Sequence, residues 1–466
     1  MAVKRFVANK DTTITNAFKA NLVDRGEDSN QGLSDILEVF GIYGQASSAS
    51  LEEARTLIQF PVDDVVSERV AGNIPASGSV SFYLRLFNAK HGLTLPKNYT
   101  LKVLPILSSW EEGNGLDMED YSDIGAANWL SSSTGTLWAS EGGDFLDSPE
   151  YTQHLDSGEE DVLVDISYLV EELIAGDTDN NGVGILLSGS FEEEERSYYT
   201  KRFFARGSEY WFKKPALEAR WDSSLKDNRG TFYASSSLAS ATDNLNTIYL
   251  YNSIRGNLTN IPDIDEGEIY LNLYDSNDVL LTPTAITGGY VSAGIYSASF
   301  AIDTTASLAT DAWFSGSNDY YSGSITLKDF SASETSLSPR YVTSIKNMNF
   351  GYDRLETPRF RLFIREKGWR PNIYTVMQET VTTEIVEDAY YKITRATDNK
   401  DIIEYGTGSV EYTLLSYDES GNYFDLDMSL FEQDYMYKIG LLYKMPDGRY
   451  EEQKETFKFR ITQEEV

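Results

Sequence analysis

The chain has 466 residues, 39 Lys plus Arg against 73 Asp plus Glu, and a formal charge of −34. That surplus repels a phosphate backbone and an anionic bilayer, so nucleic-acid binding is excluded and membrane insertion is not expected. With 41% hydrophobic and 13% aromatic residues there is ample core material, and with no Cys there is no disulfide scaffold or thiolate chemistry.

Read in chain order, short strand-like runs recur throughout. Residues 36–43, 80–87 and 101–107 place apolar side chains at alternate positions and are separated by Gly-, Ser- and Pro-rich turns. The amino-terminal residues carry no apolar run of signal-peptide length, and no stretch approaches 18 apolar residues. One amphipathic helix is predicted after Asp165, with Ile166, Leu169, Val170, Leu173 and Ile174 forming its apolar stripe and Gly176 ending it.

The apolar pattern breaks at residues 221–230. A second β module then follows through 268–275, 294–302 and 322–330, where Ile269, Leu271 and Leu273 share one face. A third begins near Asn349, with strands predicted at 360–366, 409–417, 434–444 and 455–461. Pro446-Asp447-Gly448 marks a hairpin turn, and Ser429 to Glu432 reads as a capping box. The expectation is an all-β chain of three domains: a jelly-roll β-sandwich with one short helix at 1–221, and immunoglobulin-like β-sandwiches at 222–348 and 349–466.

Chemistry is sparse. Histidine occurs only as His91 and His154, and no nucleophile elbow, phosphate loop or zinc-protease motif is present. Acids abound, but nothing marks a glycosidase pair. Asp177, Asp179 and Asn181 stand at alternate positions before Gly182, like the opening of a calcium loop. The bidentate Glu of such a loop is missing, and a polar turn accounts for the same residues; Ca²⁺ is the one cofactor the sequence suggests. Trp110, Trp129 and Trp138 lie in a long polar insertion, residues 108–160. They would stack on a glycan, anchor the insertion to the sandwich or pack against a neighbouring chain. Glu192–Glu195 reads as a solvated acidic tip. The amino-terminal Lys4-Arg5-Phe6 and the stretch Arg359–Arg370 are locally basic and offer docking surfaces for acidic copies.

Several segments resemble one known module in order. They are Ala8-Asn-Lys-Asp11-Thr12-Thr13-Ile14, Arg55-Thr-Leu-Ile-Gln-Phe60 and the strand at 79–89. Further on come Ser109-Trp110-Glu111-Glu112-Gly113, Val164-Asp165-Ile166-Ser167, Phe203-Phe-Ala-Arg206 and Lys214-Pro215-Ala-Leu217-Glu-Ala-Arg-Trp221. Together they resemble the DNRLRE family, a TGF-β-propeptide-like or carbohydrate-binding-module-like jelly-roll. Gly207 departs from the family's Ser-Arg-Glu, and residues 113–160 are unusually long and acidic, so the family's sugar binding does not carry over directly.

The whole chain resembles virion structural proteins of tailed bacteriophages, of the T4-like marine or cyanobacterial type. That resemblance implies a non-enzymatic assembly protein of the virion, synthesised in the host cytoplasm. Its partners would be other virion proteins and copies of itself. The alternative is an adhesin that binds a host-surface glycan through the jelly-roll.

Overall fold

The computed structural model describes every residue except 1, 45–49, 93, 122, 124, 194–196, 238, 328–338, 368–382 and 463–466. Two compact units divide the chain, Ala2–Trp221 and Asp222–Val466. Both are built of β-sandwiches, so the all-β fold class is what the chain adopts.

In the first unit the strands are β1 (Val3–Val7), β2 (Lys10–Thr15), β3 (Ile36–Tyr43), β4 (Leu51–Gln59), β5 (Ser81–Leu86), β6 (Tyr99–Pro105) and the small hairpin β7 (Ser131–Ser133) with β8 (Thr136–Leu137). They continue as β9 (Tyr151–Leu155), β10 (Val162–Asp165), β11 (Val183–Leu187), β12 (Tyr198–Phe204) and β13 (Ala216–Arg220). One sheet runs β1-β13-β5-β10; the other runs β12-β3-β4-β11-β6-β9, with β2 also on β4. Alternate residues of both sheets meet in one core. Phe82, Leu84, Leu86, Leu217 and Ala219 come from the first, and Leu37, Val39, Ile58, Leu101, Val103, Ile185 and Leu187 from the second.

The predicted helix is α2 (Ser167–Ala175), ended by Gly176 at φ 79°, and Asp165 accepts the Ser167 N–H at its start. A further helix, α1 (Val62–Val70), was not expected. It follows Pro61, carries Asp63 and Asp64 in its first turn and Arg69 in its last, and buries Val62 and Val65. Those are ordinary helix-end signals, and a short stripe of only two buried valines made them easy to pass over.

The second unit holds two sandwiches. In the first, β14 (Asn246–Tyr251) is followed by the small hairpin β15 (Ser253–Ile254) and β16 (Asn257–Leu258). Then come β17 (Ile269–Asp275), β18 (Ile286–Ser292), β19 (Ile295–Phe300), β20 (Leu308–Ser315) and β21 (Asn318–Thr326). The spatial order β14-β19-β18-β17-β20-β21 contains β20-β17-β18-β19, which is a Greek key. Ile269, Leu271 and Leu273 do share the buried face, with Tyr296, Phe300 and Trp313.

The last sandwich uses β22 (Tyr341–Ile345), β23 (Gly351–Tyr352), β24 (Arg359–Glu366), β25 (Ala389–Arg395) and β26 (Asp401–Ile403). After these come β27 (Ser416–Asp418), β28 (Gly421–Asp425), β29 (Met436–Lys444), β30 (Tyr450–Glu452) and β31 (Phe457–Ile461). The sheet β22-β24-β28-β27 lies against β23-β31-β29-β25-β26. Between them the Phe424 ring stacks on Tyr391, with centroids 4.4 Å apart, and on Phe360 at 5.2 Å. β22 pairs with β24, so this sandwich takes in residues ahead of Asn349.

Two local expectations fail here. Residues 409–415 are not a strand: Leu414 N–H turns back to Glu411 O, and Tyr391 N–H bonds Thr413 O instead of a ladder forming. The turn at Met428–Leu430 is a 3₁₀ turn capped by Asp427, which accepts the Ser429 N–H at 2.8 Å, rather than by Ser429 itself. The Pro446–Gly448 turn closes as expected, with Gly448 at φ 83° and Met445 N–H on Arg449 O. No helix among the described residues is long and apolar enough to cross a membrane.

Candidate functional site

Three of the motif segments converge in the first unit. Asp11 on β2, Glu112 in the insertion and Arg206 after β12 form one cluster. Arg206 donates from Nε to Glu112 Oε1 at 3.1 Å and from Nη2 to Oε2 at 2.7 Å. The Asp11 carboxylate accepts the Arg206 backbone N–H at 2.6 Å, while Glu112 accepts the Asp11 N–H at 2.8 Å. Burial, reinforced by the Glu112 carboxylate, pushes the Asp11 carboxyl up to about 7 against the opposing pull of Arg206.

Beside this cluster Asn30 is fully buried and makes five bonds: Nδ2 to Glu112 O, Ala127 O and Thr12 Oγ1, and Oδ1 from Gly32 N–H and Gly115 N–H. A Cβ on Gly115 would stand 1.9 Å from Asn30 O, so only glycine admits this approach. Asp11 and Glu112 are thus spent on the protein's own donors. The cluster fastens the long insertion to the sandwich and presents no acid–base pair to a substrate.

The tryptophans lie in the same fastening. Trp110, Trp129 and Trp138 are 3%, 4% and 6% exposed and form a satellite core with Ile14, Leu57, Ile106 and Ala127. Trp110 Nε1 donates to Asn181 O and Trp138 Nε1 to Asn128 O, both at 2.8 Å, and Arg55 lies over the Trp129 ring at 5.0 Å. Their faces are turned inward, so none offers a stacking platform to a sugar. The rings anchor the insertion.

Asp177, Asp179 and Asn181 form a turn between α2 and β11. Asn181 Nδ2 donates to Leu107 O, and the neighbouring Asn180 Nδ2 to Phe60 O, so the amides stitch the turn to adjacent strands. No three His, Cys, Asp or Glu side chains among the described residues are placed to hold a metal ion. His154 stands on edge strand β9, 3.4 Å from Asp156. Burial, then Arg202 and Lys201, lower the His91 imidazole to about 4. His154 Nδ1 also lies 3.1 Å from the exposed Thr100 Oγ1, a cross-strand contact between β6 and β9.

Two buried charge arrangements were not legible beforehand. On the first sheet the Glu218 carboxylate receives Arg5 at 2.6 Å, Arg220 at 2.5 Å and Arg85 at 3.7 Å. Burial alone would raise the Glu218 carboxyl, but these three guanidiniums outweigh it and hold it well below the usual range. On β12 the Lys201 ammonium is fully buried and donates to Asn88 Oδ1, Gly158 O and Glu160 O at 2.7–2.8 Å.

The basic stretches expected to dock are partly used internally. Lys4 pairs with Glu68, and Arg5 with Glu218. Arg359 forks onto Asp425 and Arg361 onto Asp418. Residues 368–370 of that stretch, and 194–195 of the acidic tip, lie outside the described residues.

One open feature among the described residues is a cleft of about 1260 Å³ in the Asp222–Val466 unit. Its floor is made where residues 225–227 run beside β27: Tyr417 N–H bonds Leu225 O, and Asp227 N–H bonds Tyr417 O, both at 3.0 Å. One wall carries Tyr233, held by a reciprocal amide pair with Asn246. Another wall carries Tyr341, Glu366, Glu384 and Glu387. Thr383 Oγ1 ties this wall to Ile364, and Asn422 ties it through both its amide atoms to Val386. Burial, then Glu387 and Glu384, push the Tyr233 phenol up; burial, then Glu384 and Glu366, do the same to Tyr341. Glu384 therefore acts on both walls. Asp222 and Asp243, which also line the cleft, stand more than 120 positions before Glu366, and no local pattern signals that the fold assembles them.

No family model matches the chain, and no curated protein matches it. Solved structures with similarity include a chimeric titin Z1Z2 carrying a decorin-derived peptide. It is 12% identical, with 47% of this chain and 89% of that one covered, at a TM-score of 0.17. Another is the N-terminal Ig1-2 module of the Drosophila receptor protein tyrosine phosphatase DLAR, 10% identical over 47% of this chain and 91% of that one, TM-score 0.16. A third is the Yersinia pseudotuberculosis adhesin InvE, 11% identical over 48% and 61%, TM-score 0.16. At these scores none bears on function, and the fold is read from the strand order itself.

Proposed function

We propose that this chain is a non-enzymatic structural component of a tailed-phage virion, placed at the neck, tail, baseplate or capsid surface. It is made in the host cytoplasm and works by protein–protein assembly, with other virion proteins and copies of itself as partners. The observation that carries the reading is the cleft: five carboxylates, Asp222, Asp243, Glu366, Glu384 and Glu387, and four tyrosines converge on an open surface between rigid sandwiches. Tyrosine supplies contact area at low entropic cost, and a charged rim selects its neighbour and steers encounter. The remaining chemistry points the same way, since the buried acids are tied to the protein's own donors.

Light scattering on the purified chain tests this, alone, with host-surface polysaccharide and with other virion proteins. Mass should rise only with virion proteins. Saturable glycan binding, or turnover of any polysaccharide, would contradict the reading.

A further inference from the structure

We propose that the cleft of the Asp222–Val466 unit receives an extended, Arg- or Lys-bearing segment of a different, basic polypeptide. If the chain is an assembly protein, as proposed above, this is where it grips one class of neighbour. Size is the first ground. About 1260 Å³ exceeds the roughly 300–1,000 Å³ typical of small-ligand pockets and suits a stretch of chain.

Charge is the second. Against Asp222, Asp243, Glu366, Glu384 and Glu387 the lining holds one cation, Lys226, which is itself 3.6 Å from Asp388. Those five carboxylates have no ion-pair partner among the described residues, whereas Arg229, Arg359, Arg361 and Arg395 of the same unit each sit on one. Like charges gathered without a counter-ion repel each other, and an incoming cation relieves that repulsion. All five side chains are exposed, so a partner reaches them without opening the fold.

Shape is the third. Tyr233 and Tyr341 both line the opening and both feel the Glu384 carboxylate, so an incoming guanidinium meets phenol rings and a carboxylate in the same cleft. The walls are pinned by Thr383, Asn422 and Asn246, so little ordering accompanies binding. A second copy of this chain does not fit. Each copy carries −34, and Lys4, Arg5, Arg359 and Arg361 of its basic stretches are paired internally.

The test is calorimetric titration of the full chain with a synthetic peptide of about nine residues that alternates Arg and Ser, beside its Glu-for-Arg analogue. The Arg peptide should bind saturably at one site and weaken with added salt, and the Glu peptide should not bind. The double variant Glu384→Gln/Glu387→Gln should weaken binding by about tenfold or more, and Tyr233→Ser by about threefold. Glu150→Gln/Glu159→Gln removes the same charge from the other unit and should change nothing.

Equal binding by wild type and both double variants would show diffuse attraction to an acidic surface and overturn the proposal. So would displacement of the peptide by equimolar spermine, which would make the cleft a polyamine site. A chain that gains mass with virion proteins yet ignores the Arg peptide would also overturn it, leaving the assembly role standing. A chain that grips the peptide but gains no mass would support the cleft and sink the assembly role.

Discussion

Arg206 and Glu112, 94 positions apart in sequence, meet as a forked ion pair, and the Arg206 backbone N–H donates to the buried Asp11 carboxylate. This pair closes the 108–160 insertion onto the sandwich, and it makes the first unit's stability sensitive to pH. Asp11 titrates near 7 in the folded chain, against roughly 4 when unfolded. The folded state therefore holds a proton that the unfolded state has released. Stability should fall as pH rises from about 4 to 7, by at most about 1.4 kcal/mol per pH unit. Asp11→Asn keeps an acceptor for the Arg206 N–H and should flatten that slope in urea titrations across the window. A variant profile parallel to wild type would remove Asp11 from the account.

Glu218 gives the opposite sign. Its folded-state carboxyl lies below the ordinary range, so its contribution is present at neutral pH and is lost as pH falls below about 4. Glu218→Gln removes the buried carboxylate that Arg5, Arg85 and Arg220 share. A loss of about 3–5 kcal/mol at pH 7 is expected from the denaturation midpoint. A loss under about 1 kcal/mol would show that solvent reaches this cluster.

Lys201→Met preserves length and apolar contact but strips the donors from Asn88 Oδ1, Gly158 O and Glu160 O. Each orphaned acceptor costs about 1–3 kcal/mol, less where water can reach it, so a loss on the order of 3 kcal/mol is expected. Hydrogen exchange should show the 157–161 loop opening first. Unchanged exchange there would mean the loop is held by other bonds.

Trp129→Ala empties the satellite core beneath the insertion and removes the ring under Arg55. About 3–5 kcal/mol should be lost, with exchange protection falling across residues 108–145 and little change in the main core. If Trp129 instead stood in a binding groove, stability would stay near wild type.

The strands were readable wherever one face is buried, because the period-2 pattern survives in sequence. Ile269, Leu271 and Leu273 are the clearest case, and 36–43 coincides with β3. Residues 409–417 misled because Leu414 and Leu415 are buried in a turn that packs beside β25, so apolar content did not mean ladder pairing. The Trp rings were located correctly within the insertion, but sequence could not say which way their faces turn. The cleft was invisible for a different reason. Asp222, Asp243, Glu366, Glu384 and Glu387 look like ordinary surface acids until Greek key and last sandwich bring them to one opening.

The most direct test of the central claim is quantitative mass spectrometry of tailed-phage particles purified, after a high-salt wash, from lysates in which this chain is produced. The account predicts a fixed, stoichiometric copy number per particle that survives the wash. Recovery of the chain only in the soluble fraction, with none in the particles, would contradict it.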